Sequence, residues 1–130
     1  MIGRKPTVLV VDDERDIREF YGAMLDGSGY SALSAANGAD ALDLLAGTHI
    51  DAVLLDINMP GMDGHETLAR MLLALPGLPV LMLTAVDSKA QRSRALEAGA
   101  ADYLVKPHSA ASLLDSLERA IALCEHRPRR

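Results

Sequence analysis

The stretch TVLVVDDERD, residues 7–16, decides the fold. Its first five residues, Thr7 to Val11, form a short apolar run rich in β-branched side chains, without the in–out alternation of a half-exposed strand. That is the pattern of a strand covered on both faces. Two carboxylates, Asp12 and Asp13, follow at once. Adjacent like charges repel, and burial raises the cost further. An acidic pair at the end of a buried strand therefore asks for a counter-charge.

Outward from this stretch, short apolar runs alternate with amphipathic ones. Ile17, Phe20, Tyr21, Met24 and Leu25 fall at i, i+3, i+4, i+7 and i+8, one stripe of a first helix that Gly27 and Gly29 end. Residues 30–35 read as a weaker strand, and Asn37-Gly38 opens a short helix carrying Ala41, Leu42 and Leu45. Residues 51–55 form a third strand, followed by the loop DINMPGMDG. Leu68, Met71, Leu72 and Leu75 mark a third helix, stopped by PGLP. Residues 80–83 are a fourth strand. The fourth helix, about 88–98, is polar and alanine-rich with a poor apolar stripe. Residues 102–105 are a fifth strand. Ser109 can cap a last helix with Leu113, Leu114, Leu117, Ile121 and Cys124 on one face.

This alternation predicts an α/β domain, a doubly wound parallel sheet with helices on both faces. One domain over residues 1–125 suits the 130-residue length, with 126–130 as a basic tail or linker stub. Apolar residues are 49% of the chain but aromatics only 3%, so the core must be aliphatic. Net charge is −5, of which three terminal arginines contribute +3, leaving −8 on residues 1–126. An acidic body argues against direct nucleic-acid binding by this domain. One cysteine excludes an internal disulfide or a Cys-rich zinc site. No apolar run reaches membrane-spanning length and no leader is evident, so a cytoplasmic location without membrane contact is expected.

In such sheets, ligands gather at the carboxyl ends of the strands. Those ends carry Asp12 and Asp13, then Asp56, Thr84 and Lys106. Singly, each has a bland reading: Asp13 as a helix cap, Asp56 as a turn opener, Thr84 as an ordinary strand residue, Lys106 as a solvated lysine. Jointly they suit phosphoryl transfer with a divalent cation. Mg²⁺ takes oxygen ligands, commonly one or two carboxylates, and offsets their repulsion. A carboxylate can also act as nucleophile and form an aspartyl-phosphate. Asp56, alone at the central strand, is the candidate. Lys106 would pair with phosphoryl oxygens as a point charge, and Thr84 would donate a hydrogen bond to one.

Over residues 6–125 the chain resembles the receiver domains of bacterial response regulators. LVVDDE, AANGADAL, VLLDINMPGMDG, VLMLTA and GAADYLVKP carry the resemblance. It implies a CheY-like, flavodoxin-like fold of five strands in order 2-1-3-4-5 with five helices. It also implies phosphorylation of Asp56 by a sensor histidine kinase or phosphotransfer protein, in phosphorelay signalling toward an output protein or effector domain. Asp13, Asp56 and the Asn58 carbonyl would ligate Mg²⁺ or Mn²⁺ directly, with Asp12 acting through water. Backbone N–H groups of Asn58 and Ala85 would contact the phosphoryl group. Lys106-Pro107 would be cis, and Thr84 and Tyr103 would form a switch in which Tyr103 changes rotamer to fill space behind Thr84. The family implies weak self-catalysis of phosphotransfer and dephosphorylation, not a metabolic enzyme.

Three rivals fit less well. A haloacid dehalogenase-type phosphatase would need an acid two residues past its nucleophile, where this chain has Asn58. A flavodoxin-like carrier or a dinucleotide-binding domain would need a phosphate loop after the first strand, where Asp12-Asp13-Glu14 would repel phosphate. A degenerate receiver that never takes phosphate remains as a class, although all five site positions are intact. The histidines, His49, His65, His108 and His126, show no metal spacing and are expected at the surface. Met59 and Met62 are expected to pack the loop.

Overall fold

The computed structural model describes residues 5–59, 61, 63–106 and 109–125, the last two without their side chains. Ten elements alternate: β1 (Thr7–Val11), α1 (Arg15–Asp26), β2 (Ser31–Ala35), α2 (Gly38–Gly47), β3 (Ala52–Asp56), α3 (Gly64–Ala74), β4 (Val80–Thr84), α4 (Lys89–Glu97), β5 (Asp102–Val105) and α5 (Ala110–Glu125). The strands form one sheet in the order β2-β1-β3-β4-β5, with every neighbouring pair parallel. β3 and β4, flanked on both sides, are buried along their whole length.

Alternate strand residues face opposite layers. Val8, Val10, Leu54, Leu81 and Leu83 pack with Tyr21 and Leu25 of α1 and Leu113 and Leu117 of α5. Leu9, Val11, Val53, Leu55 and Met82 pack with residues of α2, α3 and α4, including Ala41, Leu68, Met71 and Ala95. Met59 joins this second layer, as the loop-packing reading requires.

Side chains fix most helix starts. Asn37 Oδ1 accepts from Asp40 N–H at 2.8 Å, Asp63 Oδ1 from Glu66 N–H at 2.8 Å, Ser88 Oγ from Gln91 N–H at 3.2 Å, and Ser109 Oγ from Ser112 N–H at 3.0 Å. α4 buries only Ala95, so its seat on the sheet is shallow. At the other end of β5, Ser116 Oγ donates to Asp102 Oδ2, tying the strand to α5.

The structure corrects several expectations. β3 and β4 each run one residue further, to Asp56 and Thr84, because Ile57 N–H still donates to the Leu83 carbonyl and Lys106 N–H to that of Thr84. β2 starts at Ser31, since Tyr30 N–H is taken by the Leu25 carbonyl. Phe20 is not part of the buried stripe: it is 63% exposed at the flank of α1, its ring edge-on to Tyr21 at 5.4 Å. His65 is not a surface residue either. It is 9% exposed, and neither ring nitrogen has a hydrogen-bond partner among the described residues. Burial and the charge of Arg94 hold its pKa below the usual histidine value. The expectations for Met62, Pro107, His108, the Cys124 side chain and 126–130 lie outside the described residues.

His65 is buried because α3 begins hard against β3. Gly64 N–H donates to the Ile57 carbonyl at 2.9 Å, and a Cβ at Gly64 would sit 2.5 Å from Ile57 Cα and 2.8 Å from the Asp56 carbonyl oxygen. These are backbone atoms, which cannot swing aside. Gly64→Ala should therefore cost about 1–3 kcal/mol, whereas Gly22→Ala, with open space around its Cβ inside α1, should gain up to about 1 kcal/mol. Urea unfolding of both variants checks the contrast.

Candidate metal and phosphoryl site

The parallel sheet delivers β1, β3, β4 and β5 to one carboxyl edge. Asp12 leaves β1 buried (2% exposed), Asp56 ends β3 at 7%, and Asp13 is exposed beside them. One carboxylate oxygen from each of the three lies within 4.8 Å of the others. Lys106, beyond β5, places Nζ 3.4 Å from Asp12 Oδ2 and 4.0 Å from Asp56 Oδ1. Asp56 Oδ1 also accepts a long bond, 3.4 Å, from Asn58 N–H. One ammonium thus meets two carboxylates, with the third beside them.

The electrostatics follow. Burial, then the charge of Asp12, pushes the Asp56 carboxyl up to about 6, against the opposing pull of Lys106. Burial and the charges of Asp12 and Asp56 likewise raise the pKa of Tyr21, beneath the site on α1. The donor set suits a hard divalent cation: all oxygen, with more negative charge than Lys106 offsets. Asp13 does not cap α1. The N-cap is Glu14, whose side chain makes no capping bond, and Glu14 N–H is instead taken by Asp12 Oδ1 at 2.9 Å.

Thr84 is fully buried at the end of β4, and its Oγ1 accepts from Val86 N–H at 3.1 Å. A hydroxyl that accepts in this way keeps its own hydrogen to donate. Ala85 is exposed next to it. Tyr103 stands on the neighbouring strand, β5. Its ring is already buried (1% exposed), its hydroxyl donates to the Val86 carbonyl at 3.1 Å, and the Arg92 guanidinium lies 4.9 Å from the ring centroid. The Val86 residue is held at its N–H by Thr84 and at its carbonyl by Tyr103.

Sequence reading missed Arg18 and Arg92. Arg18 Nη1 donates to the Asp12 carbonyl at 2.8 Å. Both are helix residues, away from the strand ends where ligands gather in such sheets. Their one signal was position: Arg18 lies one residue past Ile17 of the apolar stripe, and Arg92 three before buried Ala95.

A five-stranded parallel sheet with an acidic trio and a lysine at its carboxyl edge defines a receiver domain. The chain belongs to the response regulator receiver domain family, whose model matches residues 8–118 and whose general role is phosphorelay signalling. It is similar to the response regulator MprA of Mycobacterium sp. (strain KMS), 46% identical over 107 residues that make up 82% of this chain and 46% of that protein. The chain thus spans about half the length of the curated relatives it matches. Among solved structures it resembles a CheY-like response regulator receiver domain protein from Methanospirillum hungatei JF-1, with a TM-score of 0.89, 28% identity, and coverage of 95% of this chain and 98% of that one. It also resembles the chemotaxis protein CheY4 of Vibrio cholerae, with a TM-score of 0.84, 34% identity, and coverage of 90% and 99%. Among the described residues, no helix is long and apolar enough to cross a membrane.

The raised pKa of Asp56 has a consequence for stability. Its unfolded value is about 3.8 and its folded value about 6, so the folded state binds more protons between these pH values. Stability therefore falls as pH rises through that window. In chelator, Asp56→Asn should be more stable than the unsubstituted chain at pH 7 by about 1–3 kcal/mol, and the two should converge near pH 4. Denaturant titrations at pH 4, 5, 6 and 7 measure this.

Proposed function

We propose that Asp56 is the phosphoacceptor of this domain and that a sensor histidine kinase or phosphotransfer protein in the cytoplasm is the donor. The observation that carries this is the trio Asp12, Asp13 and Asp56 gathered at the sheet edge, with Lys106 set against Asp12 and Asp56. In the transfer, a carboxylate oxygen of Asp56 forms a bond to phosphorus as the bond from phosphorus to the donor's histidine nitrogen breaks, with the two in line. At pH 7 a carboxyl with a pKa of about 6 is mostly ionised, and hence nucleophilic. Lys106 moves from its carboxylates toward the added phosphoryl oxygens, Thr84 donates its free hydroxyl hydrogen to one of them, and N–H groups of Asn58 and Ala85 supply further donors.

Asp12, Asp13, Asp56 and the Asn58 carbonyl would hold Mg²⁺ or Mn²⁺. The cation would supply the positive charge that lets the carboxylates and a phosphoryl group occupy one site. Asn58, exposed two residues past the nucleophile, would orient the water that later removes the phosphoryl group. An output protein or effector domain would then read the change at the face of α4, β5 and α5.

With a small phosphodonor and Mg²⁺, the chain should gain one phosphoryl mass that hydroxylamine removes, and Asp56→Asn should gain none while staying folded. Label on a histidine would make the assignment to Asp56 wrong, and no adduct at all would replace this reading with a binding module that takes no phosphate. Substituting Asn58 with Ala or Lys should change the dephosphorylation rate several-fold at constant melting temperature.

The links from Thr84 through Val86 to Tyr103 support a route to that surface. Beryllofluoride with Mg²⁺, a mimic of the phosphorylated form, should shift amide resonances at 84–86, 88–98 and 102–106, and Thr84→Ala should shrink the latter two sets. Shifts confined to the loops around Asp12, Asp56 and Lys106 would mean that phosphate binds without this relay.

A further inference from the structure

The four backbone and side-chain polar positions of Asp12 are all engaged. Its N–H donates to the Ala35 carbonyl at 3.2 Å, Oδ1 accepts from Glu14 N–H at 2.9 Å, Oδ2 faces Lys106 Nζ at 3.4 Å, and its carbonyl accepts from Arg18 Nη1 at 2.8 Å. Asp13, next in the chain, is exposed, and its side chain makes no hydrogen bond or ion pair among the described residues. The carbonyl that Arg18 holds is one end of a planar peptide whose other end is the N and Cα of Asp13. Fixing that oxygen fixes the plane, and with it the direction in which Asp13 leaves the backbone.

α1 starts without a side-chain cap, unlike α2, α3 and α4. Arg18 itself has a rigid base: it lies in the first turns of α1, and its N–H bonds to the Glu14 carbonyl at 3.1 Å. Its guanidinium is planar and pre-organised, and loses little freedom when it grips a single oxygen.

We propose that Arg18 is a positioning residue for the divalent cation, acting through the Asp12–Asp13 peptide to present the Asp13 carboxylate. The proposal rests on the reading of the acidic trio as a cation site. Two effects of Arg18 oppose one another, which makes the proposal sharp. A positive charge near the site disfavours a cation, so removing the charge alone would tighten binding. Losing the grip on the peptide would weaken it.

Calorimetric titration of Mg²⁺ into the intact chain, Arg18→Met, Arg18→Gln and Asp13→Asn separates them. Arg18→Met should bind Mg²⁺ roughly tenfold more weakly, the scale on which groups that orient metal ligands act, with its melting temperature near that of the unsubstituted chain. Arg18→Gln, neutral but able to donate, should recover part of the loss. With a small phosphodonor, the Mg²⁺ concentration for half-maximal phosphorylation should rise by the same factor in Arg18→Met, while the rate at saturating Mg²⁺ stays unchanged. Equal or tighter Mg²⁺ binding by Arg18→Met overturns the proposal. Should that variant fail to fold, Arg18→Lys carries the test at constant charge: weaker binding supports it and equal binding overturns it. Equal binding by the unsubstituted chain and Asp13→Asn removes the cation site itself, a failure visible without any Arg18 variant, and the proposal with it.

Discussion

The ion pair between Lys106 and Asp12 is the constraint around which the site is organised. It joins the ends of β1 and β5, which are separated by two strands in the sheet. Two nearly buried carboxylates and a third beside them can coexist in a folded protein only if a positive charge reaches them from elsewhere in the chain. The sheet order brings that charge, since it sets β1 and β3 side by side in the middle and β5 at the edge, from which a long lysine side chain can lean back. One ammonium does not balance three carboxylates, and burial, then the charge of Asp12, still raises the pKa of Asp56 against the pull of Lys106. The fold therefore stores repulsion at the place where a cation would relieve it and so make room for a phosphoryl group.

Much of this was legible in the residues. Five apolar runs separated by amphipathic stretches specify a parallel α/β sheet, and the rule that ligands sit at strand ends directed attention to Asp12, Asp13, Asp56, Thr84 and Lys106. The strand order itself came from resemblance, because local patterns do not say which strands lie side by side. What periodicity could not give was the width of each buried stripe. Phe20 fits the helical spacing as well as Tyr21 does, but the groove between α1 and the sheet admits only one of them. His65 shows the converse: a polar residue was carried inside because Gly64 lets α3 start against β3. The burial of Tyr103 was hidden for another reason. It depends on Val86 and Arg92, partners from a loop and a helix with no pattern pointing at the tyrosine.

Stability is unevenly spread over the two faces of the sheet. The layer of α1 and α5 is seated by large side chains, Tyr21, Leu25, Leu113 and Leu117. On the opposite layer α2 and α3 are seated in the same way, but α4 contributes only Ala95. A helix with so little apolar attachment is inexpensive to displace. The contacts that do hold that region, the Thr84–Val86 and Tyr103–Val86 hydrogen bonds and the Arg92 cation–π contact, are polar and few. A change in the hydrogen bonding of Thr84 acts directly on one of them.

The close seat of Gly64 gives the site a mechanical property. With the first turn of α3 pressed onto the backbone of Ile57 and the carbonyl of Asp56, the strand end has a solid backstop. It would have little room to recoil if a bulky group were added to the Asp56 side chain. Displacement must then be taken up by whatever is softer, and the neighbouring segment between β4 and α4 is bounded by a loosely held helix. A rigid wall on one side and a compliant one on the other turn a local insertion into motion with a fixed direction.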